Sequence, residues 1–285
     1  MPYMDSKTNK VYFSNLLPKK HSKFSKKLFN ILDKNNINYE LISNTKDIWI
    51  RDYMPIQKRD GSFIRYIHQP DYLIGYSALR TNPKEASIFL DANNIIDIEL
   101  NLDGGNIVRS NNKIICTDKI FKANIEFSKE EIVDMLKTSL DTAEVIIIPE
   151  QPYDMTGHSD GLVRFINENK VMISSYTKED REFAKQLISS LMKQNLEVVT
   201  LPPKGYFREK NGAVWIPYIN YMQVGNLIVL PCVGEKVELE VLEFFQRCFP
   251  DCCVEYLDTT SIIKRGGALN CISWNVYEKW SQDDQ

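Results

Sequence analysis

The chain has 285 residues, of which 43% are hydrophobic, and its 35 basic and 38 acidic side chains give a formal net charge of −3. This length allows a large core and no linker-like stretch is visible, so we expect a single domain spanning residues 1–285. The basic residues are scattered apart from a run at residues 19–27, which argues against nucleic-acid binding. No apolar run approaches the ~20 residues of a membrane span, and residues 1–10 lack a signal-peptide core, so we expect a cytoplasmic protein without membrane partners.

The six cysteines form no Cys-x-x-Cys pair, and no histidine-rich segment accompanies them. This spacing disfavours a zinc site, and a reducing compartment would leave the thiols free. We therefore expect neither a metal ion nor another cofactor.

In chain order, the first predicted unit begins with a helix whose apolar residues have helical spacing: Phe24, Leu28, Ile31 and Leu32. A strand at residues 39–42 follows, and the next segment carries Asp52. The second unit has a helix that opens near Pro83, a favourable first-turn residue, with Ala86, Phe89 and Leu90 on one face, and a strand at residues 95–100. That strand leads to Asp103, which precedes a Gly-Gly pair.

The third unit opens at Ser128, where Ser-Lys-Glu-Glu has the form of a capping box, and continues in a strand at residues 145–148. It ends at His158 and Asp160, whose i, i+2 spacing is strand-like and would place both side chains on one face. The fourth unit has a predicted helix at residues 179–194, a strand at residues 197–201 and then Asn220. The fifth unit has a predicted helix at residues 237–247, a strand at residues 253–257 and then Cys271.

The units recur every ~50–60 residues, and each places a polar side chain at the same point of its structure. After the second and third motifs, paired apolar segments around asparagine-rich turns predict hairpins, at residues 106–116 and 162–174. Such units cannot each bury an apolar face alone, so we expect them to close around an axis with helices outside and the motif loops at one mouth. The alternative is an open α/β sheet with irregular hairpins.

A cysteine, a histidine and an acid lie in glycine-flanked segments, namely Cys271 at the end of Gly-Gly-Ala-Leu-Asn-Cys, and His158 with Asp160. These are the parts of a cysteine-nucleophile site, although a free cysteine is often only a small buried hydrophobe. Of the three histidines, His158 alone has an acid within its motif. His21 lies in a lysine-rich start and His68 in a predicted loop.

Five segments in this order resemble the agmatine deiminase and bacterial-type peptidylarginine deiminase family: Trp49-x-Arg51-Asp52, Asp103-Gly104-Gly105-Asn106, Gly157-His158-x-Asp160, Tyr218-Ile219-Asn220-Tyr221 and Gly266-Gly267-x-x-x-Cys271. The resemblance covers roughly residues 11–275. It implies an α/β fold, the five-bladed, pseudo-fivefold α/β propeller called a pentein. It also implies a cysteine-dependent deiminase that acts on a guanidino substrate such as agmatine or an arginine derivative.

The same resemblance implies that Cys271 is the nucleophile, His158 the general acid/base, and Asp52 and Asp160 the carboxylates that hold the guanidinium. Further predicted substrate-binding residues are Asp103, Asn220, Trp49 and Arg51. Two positions depart from the agmatine deiminases, which usually have glutamate where Asp103 stands and commonly histidine where Asn270 stands. The choice of agmatine as substrate does not follow from a pattern with these departures.

The chemistry also follows from residue types. A guanidinium is a poor electrophile unless carboxylates pair with its nitrogens and align its carbon with a thiolate. The covalent intermediate could pass to water, in a hydrolase, or to an amine, in an amidinotransferase; a non-catalytic binding module and an unrelated cysteine peptidase are weaker alternatives. Free arginine would require a cation for its α-carboxylate, for which Arg80, Arg109 and Arg208 are candidates. The expected partner is a small guanidino molecule, and a homodimer is compatible with the sequence.

Overall fold

The computed structural model describes residues 1–279 except 153, 179, 203–205, 210, 211, 216, 235 and 236, and it describes residues 206–209 and 212–215 by their backbone alone. The strands of this part are β1 Lys10–Ser14, β2 Asn38–Ile42, β3 Ile56–Gln57, β4 Phe63–Ile67, β5 Ile95–Asn101, β6 Val108–Arg109, β7 Lys113–Thr117, β8 Glu144–Ile148, β9 Val163–Asn167, β10 Lys170–Ile173, β11 Glu197–Thr200, β12 Tyr206–Glu209, β13 Gly212–Trp215, β14 Met222–Val224, β15 Leu227–Cys232, β16 Cys253–Asp258 and β17 Trp274–Val276. The helices are α1 Leu16–Lys20, α2 Ser22–Lys34, α3 Ile50–Tyr53, α4 Pro83–Ala86, α5 Lys119–Ala123, α6 Lys129–Leu140, α7 Arg181–Met192, α8 Leu239–Cys248 and α9 Thr260–Ile263.

Five three-stranded sheets share one topology among the described residues. In each, a central strand pairs antiparallel with the strand before it and parallel with the strand after it, as β4 does with β3 and β5. The connection between the two parallel strands is a crossover that contains the helices of the unit. In the first sheet the antiparallel partner of β1 is β17, which comes from the other end of the chain. The five sheets are the blades of the predicted α/β propeller, and β12 and β13 form a separate hairpin.

The polar motifs occupy equivalent connections, because each lies between the last strand of one blade and the first strand of the next. Asp52 follows β2, Asp103 follows β5, His158 and Asp160 follow β8, Asn220 follows the hairpin, and Cys271 precedes β17. The predicted convergence of the motif loops is therefore a property of the blade topology.

Local sequence accounts for several helices. Ser128 Oγ accepts a hydrogen bond from Glu131 N, and the Glu131 carboxylate accepts one from Ser128 N, which forms the predicted capping box of α6. The predicted apolar stripe of α2 is buried through Phe24, Leu28 and Leu32. These three residues share one buried cluster with Val11 and Phe13 of β1, so α2 packs against its own blade.

Two local predictions were wrong in detail. In the second unit, α4 ends at Ala86 and does not include Phe89 and Leu90, although the predicted helix contains both. The hydroxyl of the next residue, Ser87, donates a hydrogen bond to the Pro83 carbonyl at this end. His158 immediately precedes a 3₁₀ turn, residues 159–161, which contains Asp160, so neither residue lies in a strand. In addition, residue 179, the predicted start of the fourth helix, lies outside the described residues. Within the part described, no helix is long and apolar enough to span a membrane.

A largely buried ion cluster connects the segment before β1 with α3, β6 and β9. The carboxylate of Asp5 accepts hydrogen bonds of 2.9 Å from Arg109 and from Arg164, and Arg51 Nη1 lies 3.8 Å away. These groups line a cavity of about 230 Å³, which Asp160 also reaches. Burial alone would raise the pKa of Asp5, but the three guanidinium groups lower it to about 2.

We expect Asp5→Asn to destabilise the protein by about 3–5 kcal/mol at pH 7, because it leaves three arginines without their shared anion. A carboxylate with a lowered folded-state pKa contributes stability above its unfolded pKa and loses that contribution as pH falls through the folded value. The gap between variant and wild type should therefore close between about pH 4 and pH 2. Denaturant unfolding at several pH values measures it. Asp134→Asn, an exposed position on α6, is the control; equal stability of Asp5→Asn and wild type at pH 7 would contradict the prediction.

Candidate active site

A cavity of about 540 Å³ collects residues from four of the five motif loops, and the fifth, at Asp103, reaches it through His158. The predicted site residues in its wall include Asp52, His158, Asp160, Asn220 and Cys271. Residues more than 200 positions apart in the chain thus share one cavity, as ring closure requires.

The thiol of Cys271 lies beside a carboxylate and an amide. Its Sγ is 3.8 Å from Asp160 Oδ2 and 3.3 Å from Asn220 Oδ1. Asn270 Nδ2 donates to the same Asp160 oxygen at 2.6 Å, and Asp160 itself is only 3% exposed. Asp160 is therefore held by the residue that precedes the thiol, and these contacts use only its Oδ2 oxygen.

The imidazole of His158 lies between two carboxylates. Its Nε2 is 3.0 Å from Asp103 Oδ2, and its Nδ1 is 3.6 Å from Asp52 Oδ1. Asp52 Oδ1 also accepts a 3.2 Å hydrogen bond from Gly105 N. A Cβ at Gly105 would lie 2.6 Å from both Asp52 and His158, so glycine is what allows this loop to approach the pair.

Electrostatics favour a charged imidazole in this position. Burial alone would lower the pKa of His158, but Asp52 and the hydrogen bond to Asp103 raise it to about 10. Burial would raise the pKa of Asp103, yet hydrogen bonds from His158 and His68 hold it below its usual range. Burial raises the pKa of Asp52 to about 7, against the opposing positive charge of His158.

The thiol experiences the opposite effect. Burial raises the pKa of Cys271 well above its usual value, and the carboxylates of Asp160 and Asp52 raise it further. The site is thus rich in carboxylates, and a cation that entered it would both pair with Asp160 and favour the thiolate.

The structure separates the other predicted residues into two groups. Trp49 lines the cavity, with its ring packed so closely on Gly267 that a Cβ there would lie 2.5 Å from Cζ3. Asp103 lies behind His158 and is not part of the cavity wall. Arg51 points away from the cavity, since its Nε donates to the Asn270 carbonyl and its Nη1 lies near Asp5.

The arginines considered for an α-carboxylate lie elsewhere or lack a described side chain. Arg80 lines a different surface cavity, and Arg109 is bound to Asp5. Arg208 lies in β12, whose side chains are not among those described.

Sequence reasoning missed several residues of this cavity, among them Asp47, His68, Tyr72 and Arg265. Asp47 and Arg265 directly flank recognised motifs, and that proximity was an available signal. His68 and Tyr72 lie outside every motif and reach the site only through the folded path after β4. Burial raises the pKa of Asp47 to about 6. In the described part of the chain, no three His, Cys, Asp or Glu side chains are grouped so that they could hold a metal ion.

A ring of five blades, with a cysteine, a histidine and carboxylates at one mouth, defines the class of five-bladed α/β propellers with a thiol site. The chain belongs to the Porphyromonas-type peptidyl-arginine deiminase family, whose model matches residues 10–276.

Relatives support this assignment. A protein assigned as an agmatine deiminase from Marinomonas sp. is 27% identical over 212 residues, which are 63% of this chain and 58% of that protein. One so assigned from Streptococcus mutans is 26% identical over 204 residues, or 60% of this chain and 55% of that protein. The matched part thus spans less than two thirds of these relatives.

Solved structures share the fold over nearly the whole chain. An agmatine deiminase of C. jejuni superposes with a TM-score of 0.80 at 15% identity, covering 97% of this chain and 96% of that one. A dimethylarginine dimethylaminohydrolase (DDAH) of Pseudomonas aeruginosa has a TM-score of 0.59 at 11% identity, covering 96% and 100%. At these identities the likeness establishes the fold, which agrees with the predicted propeller.

Proposed function

We propose that this protein is a cysteine-dependent deiminase, which hydrolyses a guanidino group to ammonia and a ureido product. The observation that carries the proposal is the placement of Cys271 Sγ 3.8 Å from a buried Asp160 carboxylate, in the cavity that also holds His158 and Asp52. A thiol surrounded by carboxylates suits a cationic electrophile, because the same charges that disfavour a free thiolate attract a guanidinium.

Substrate binding would use Asp160 and Asp52 as the two acceptors for guanidinium N–H groups. Both carboxylates are at least nine-tenths buried, so their hydrogen bonds to a cation form in a site with little competing water. Pairing with the substrate also removes the repulsion that raises the pKa of Cys271. The bound substrate and the imidazolium of His158 together favour the thiolate.

The reaction then proceeds in two halves. Cys271 Sγ attacks the guanidinium carbon to give a tetrahedral adduct, His158 donates a proton to the departing nitrogen, and the C–N bond breaks with release of ammonia. This leaves a covalent thiouronium. A water molecule, deprotonated by His158, attacks the same carbon, the C–S bond breaks, and the ureido product leaves with the thiolate restored.

Charged residues of the cavity wall outside the predicted set bear on the identity of the substrate. Asp47, Asp154 and Arg265 line the cavity together with apolar side chains, so the wall contains further charges of both signs. Two carboxylates suit a distal amine such as that of agmatine, and the relatives assigned as agmatine deiminases point the same way. Arg265 suits a carboxylate, as in an arginine derivative, so both classes need to be assayed.

A substrate panel tests this function. We expect a ureido product, with ammonia from agmatine, arginine or a peptidyl-arginine or with a methylamine from a methylated arginine, and undiminished activity in chelator. A metal ion beside Asp52 and Asp160 would repel the substrate cation and compete for the same oxygens. Product formation should be followed by colorimetric ureido and ammonia assays, with an added amine acceptor to detect amidino transfer. Absence of turnover on the whole panel, or strict dependence on added zinc or manganese, would overturn the proposal.

A further inference from the structure

Asp103 binds two histidines, one through each carboxylate oxygen. His158 Nε2 lies 3.0 Å from Oδ2, and His68 Nδ1 lies 2.8 Å from Oδ1. The hydroxyl of Tyr72 donates to Oδ2 at 3.0 Å. The carboxylate that supports the acid/base is thus itself held by two side chains that no motif contains.

These contacts are buried and belong to the reaction cavity. The side chain of His68 is 3% exposed and that of Asp103 is 9% exposed. His68 and Tyr72 both line the cavity that contains Cys271, and the Tyr72 ring meets the His158 ring edge to face at 6.1 Å. The residues that hold Asp103 therefore contact the space where the substrate would lie.

The arrangement determines which imidazole nitrogen of His158 pairs with Asp103. Asp103 engages Nε2 of His158, so Nδ1 is the nitrogen that remains on the side of Asp52. An aspartate carboxylate can rotate about its last bond, and a partner on Oδ1 restricts that rotation. The His68 hydrogen bond therefore keeps Oδ2 directed at His158 Nε2.

We propose that His68 is a positioning residue for the general acid/base, which acts by fixing the Asp103 carboxylate against His158, with Tyr72 as its second support. This inference rests on the proposed function, because it assigns a role within the same site. His68 acts through Asp103, and its loss should impair proton transfer more than substrate binding.

The charges around His68 predict an effect on the pH profile. Among the described residues, the carboxylates of Asp103, Asp47 and Asp52 all interact with it. Tyr53 packs edge-on at 5.8 Å. Without His68, Asp103 loses one of its two imidazole partners, and its remaining interaction with His158 changes. The pH dependence of kcat should shift accordingly, whereas a residue that only fills space would leave it unchanged.

The test compares His68→Phe, which removes the donor, with His68→Gln, whose amide can still donate to Asp103, and adds Tyr72→Phe. Tyr76→Phe, at an exposed tyrosine in the same segment, is the matched control. We expect His68→Phe to lower kcat by roughly 10–100-fold with a shifted pH profile and little change in KM. His68→Gln should keep most of the kcat that His68→Phe loses, and Tyr72→Phe should lower kcat by less than His68→Phe does.

A second readout is independent of turnover. An imidazole N–H bound to a carboxylate gives a low-field proton resonance, and His158→Gln identifies the one that belongs to His158. We expect this resonance to move in His68→Phe and to keep its position in Tyr76→Phe. An unmoved resonance, or an unchanged kcat and pH profile in a folded His68→Phe, would overturn the inference. If the wild type turned over nothing, the proposed function would fail, while the resonance would still decide whether His68 positions His158.

Discussion

Cys271→Ser should abolish turnover while leaving the fold intact. A hydroxyl of similar size fits the same half-buried position, but it cannot supply a thiolate, so kcat should fall by a factor on the order of 10⁴ or more. Steady-state assays of ureido product measure this loss, and circular dichroism verifies the fold. Cys253→Ser, at an exposed cysteine of β16, is the matched control and should behave as wild type.

Labelling adds a direct test of the same thiol. A haloacetamidine carries an amidinium that can pair with Asp160 and Asp52, so it should modify Cys271 before the other five cysteines. Peptide mapping locates the label. Near wild-type activity in Cys271→Ser, or preferential labelling of another cysteine, would remove the central claim of the proposed mechanism.

Asp160→Asn should have opposite effects on catalysis and on thiol reactivity. The substitution removes one charge-assisted pair with the guanidinium, worth about 1.5–3 kcal/mol, so kcat/KM should fall roughly 10- to 100-fold. Burial is the largest cause of the raised pKa of Cys271, and the charge of Asp160 is the next largest. Without that charge, the thiol of the variant should ionise more readily. Alkylation of Cys271 by neutral iodoacetamide should therefore become faster while deimination becomes slower.

Asp52→Asn should also reduce kcat/KM, and His158→Gln should chiefly reduce kcat. Asp134→Asn, on the exposed face of α6, provides the charge-matched control. The combination of slower turnover and faster alkylation in Asp160→Asn distinguishes an electrostatic role from general damage to the site. Wild-type kinetics in both aspartate variants would mean that neither carboxylate holds the substrate.

The sequence alone predicted the architecture well because the fold is built from repeated local signals. Helical spacing around Phe24, the capping box at Ser128 and the strand before Asp103 each depend on a few neighbouring residues. Because the pattern of helix, strand and polar residue recurs five times along the chain, ring closure was the expected arrangement. A four-residue α4 in place of a longer helix was not predictable, because Phe89 and Leu90 continue the apolar spacing of Ala86 in the sequence, although Phe89 is exposed and Leu90 only half-buried in the folded protein.

The motif residues of the site were predictable as a set, whereas their supports were not. His68 and Tyr72 contact Asp103 across more than 30 positions, and no local pattern records such a contact. Asp5 meets Arg109 and Arg164 over still larger separations. The direction of Arg51 was equally hidden, because neighbours in a short helical turn point to different sides, and Asp52 faces the cavity that Arg51 does not reach.

We expect the pairing of β1 with β17 in the first blade to determine when the reactive centre forms during folding. Its sheet joins β1 to β17, and Asn9 and Glu278, which are 269 positions apart, exchange two hydrogen bonds beside that joint. Contacts between such distant segments form late, because the intervening chain must first be ordered. Cys271 immediately precedes β17, so we expect its thiol to meet Asp160 and Asn220 only when the ring closes. A half-folded chain would then carry blades and helices but no assembled nucleophile site.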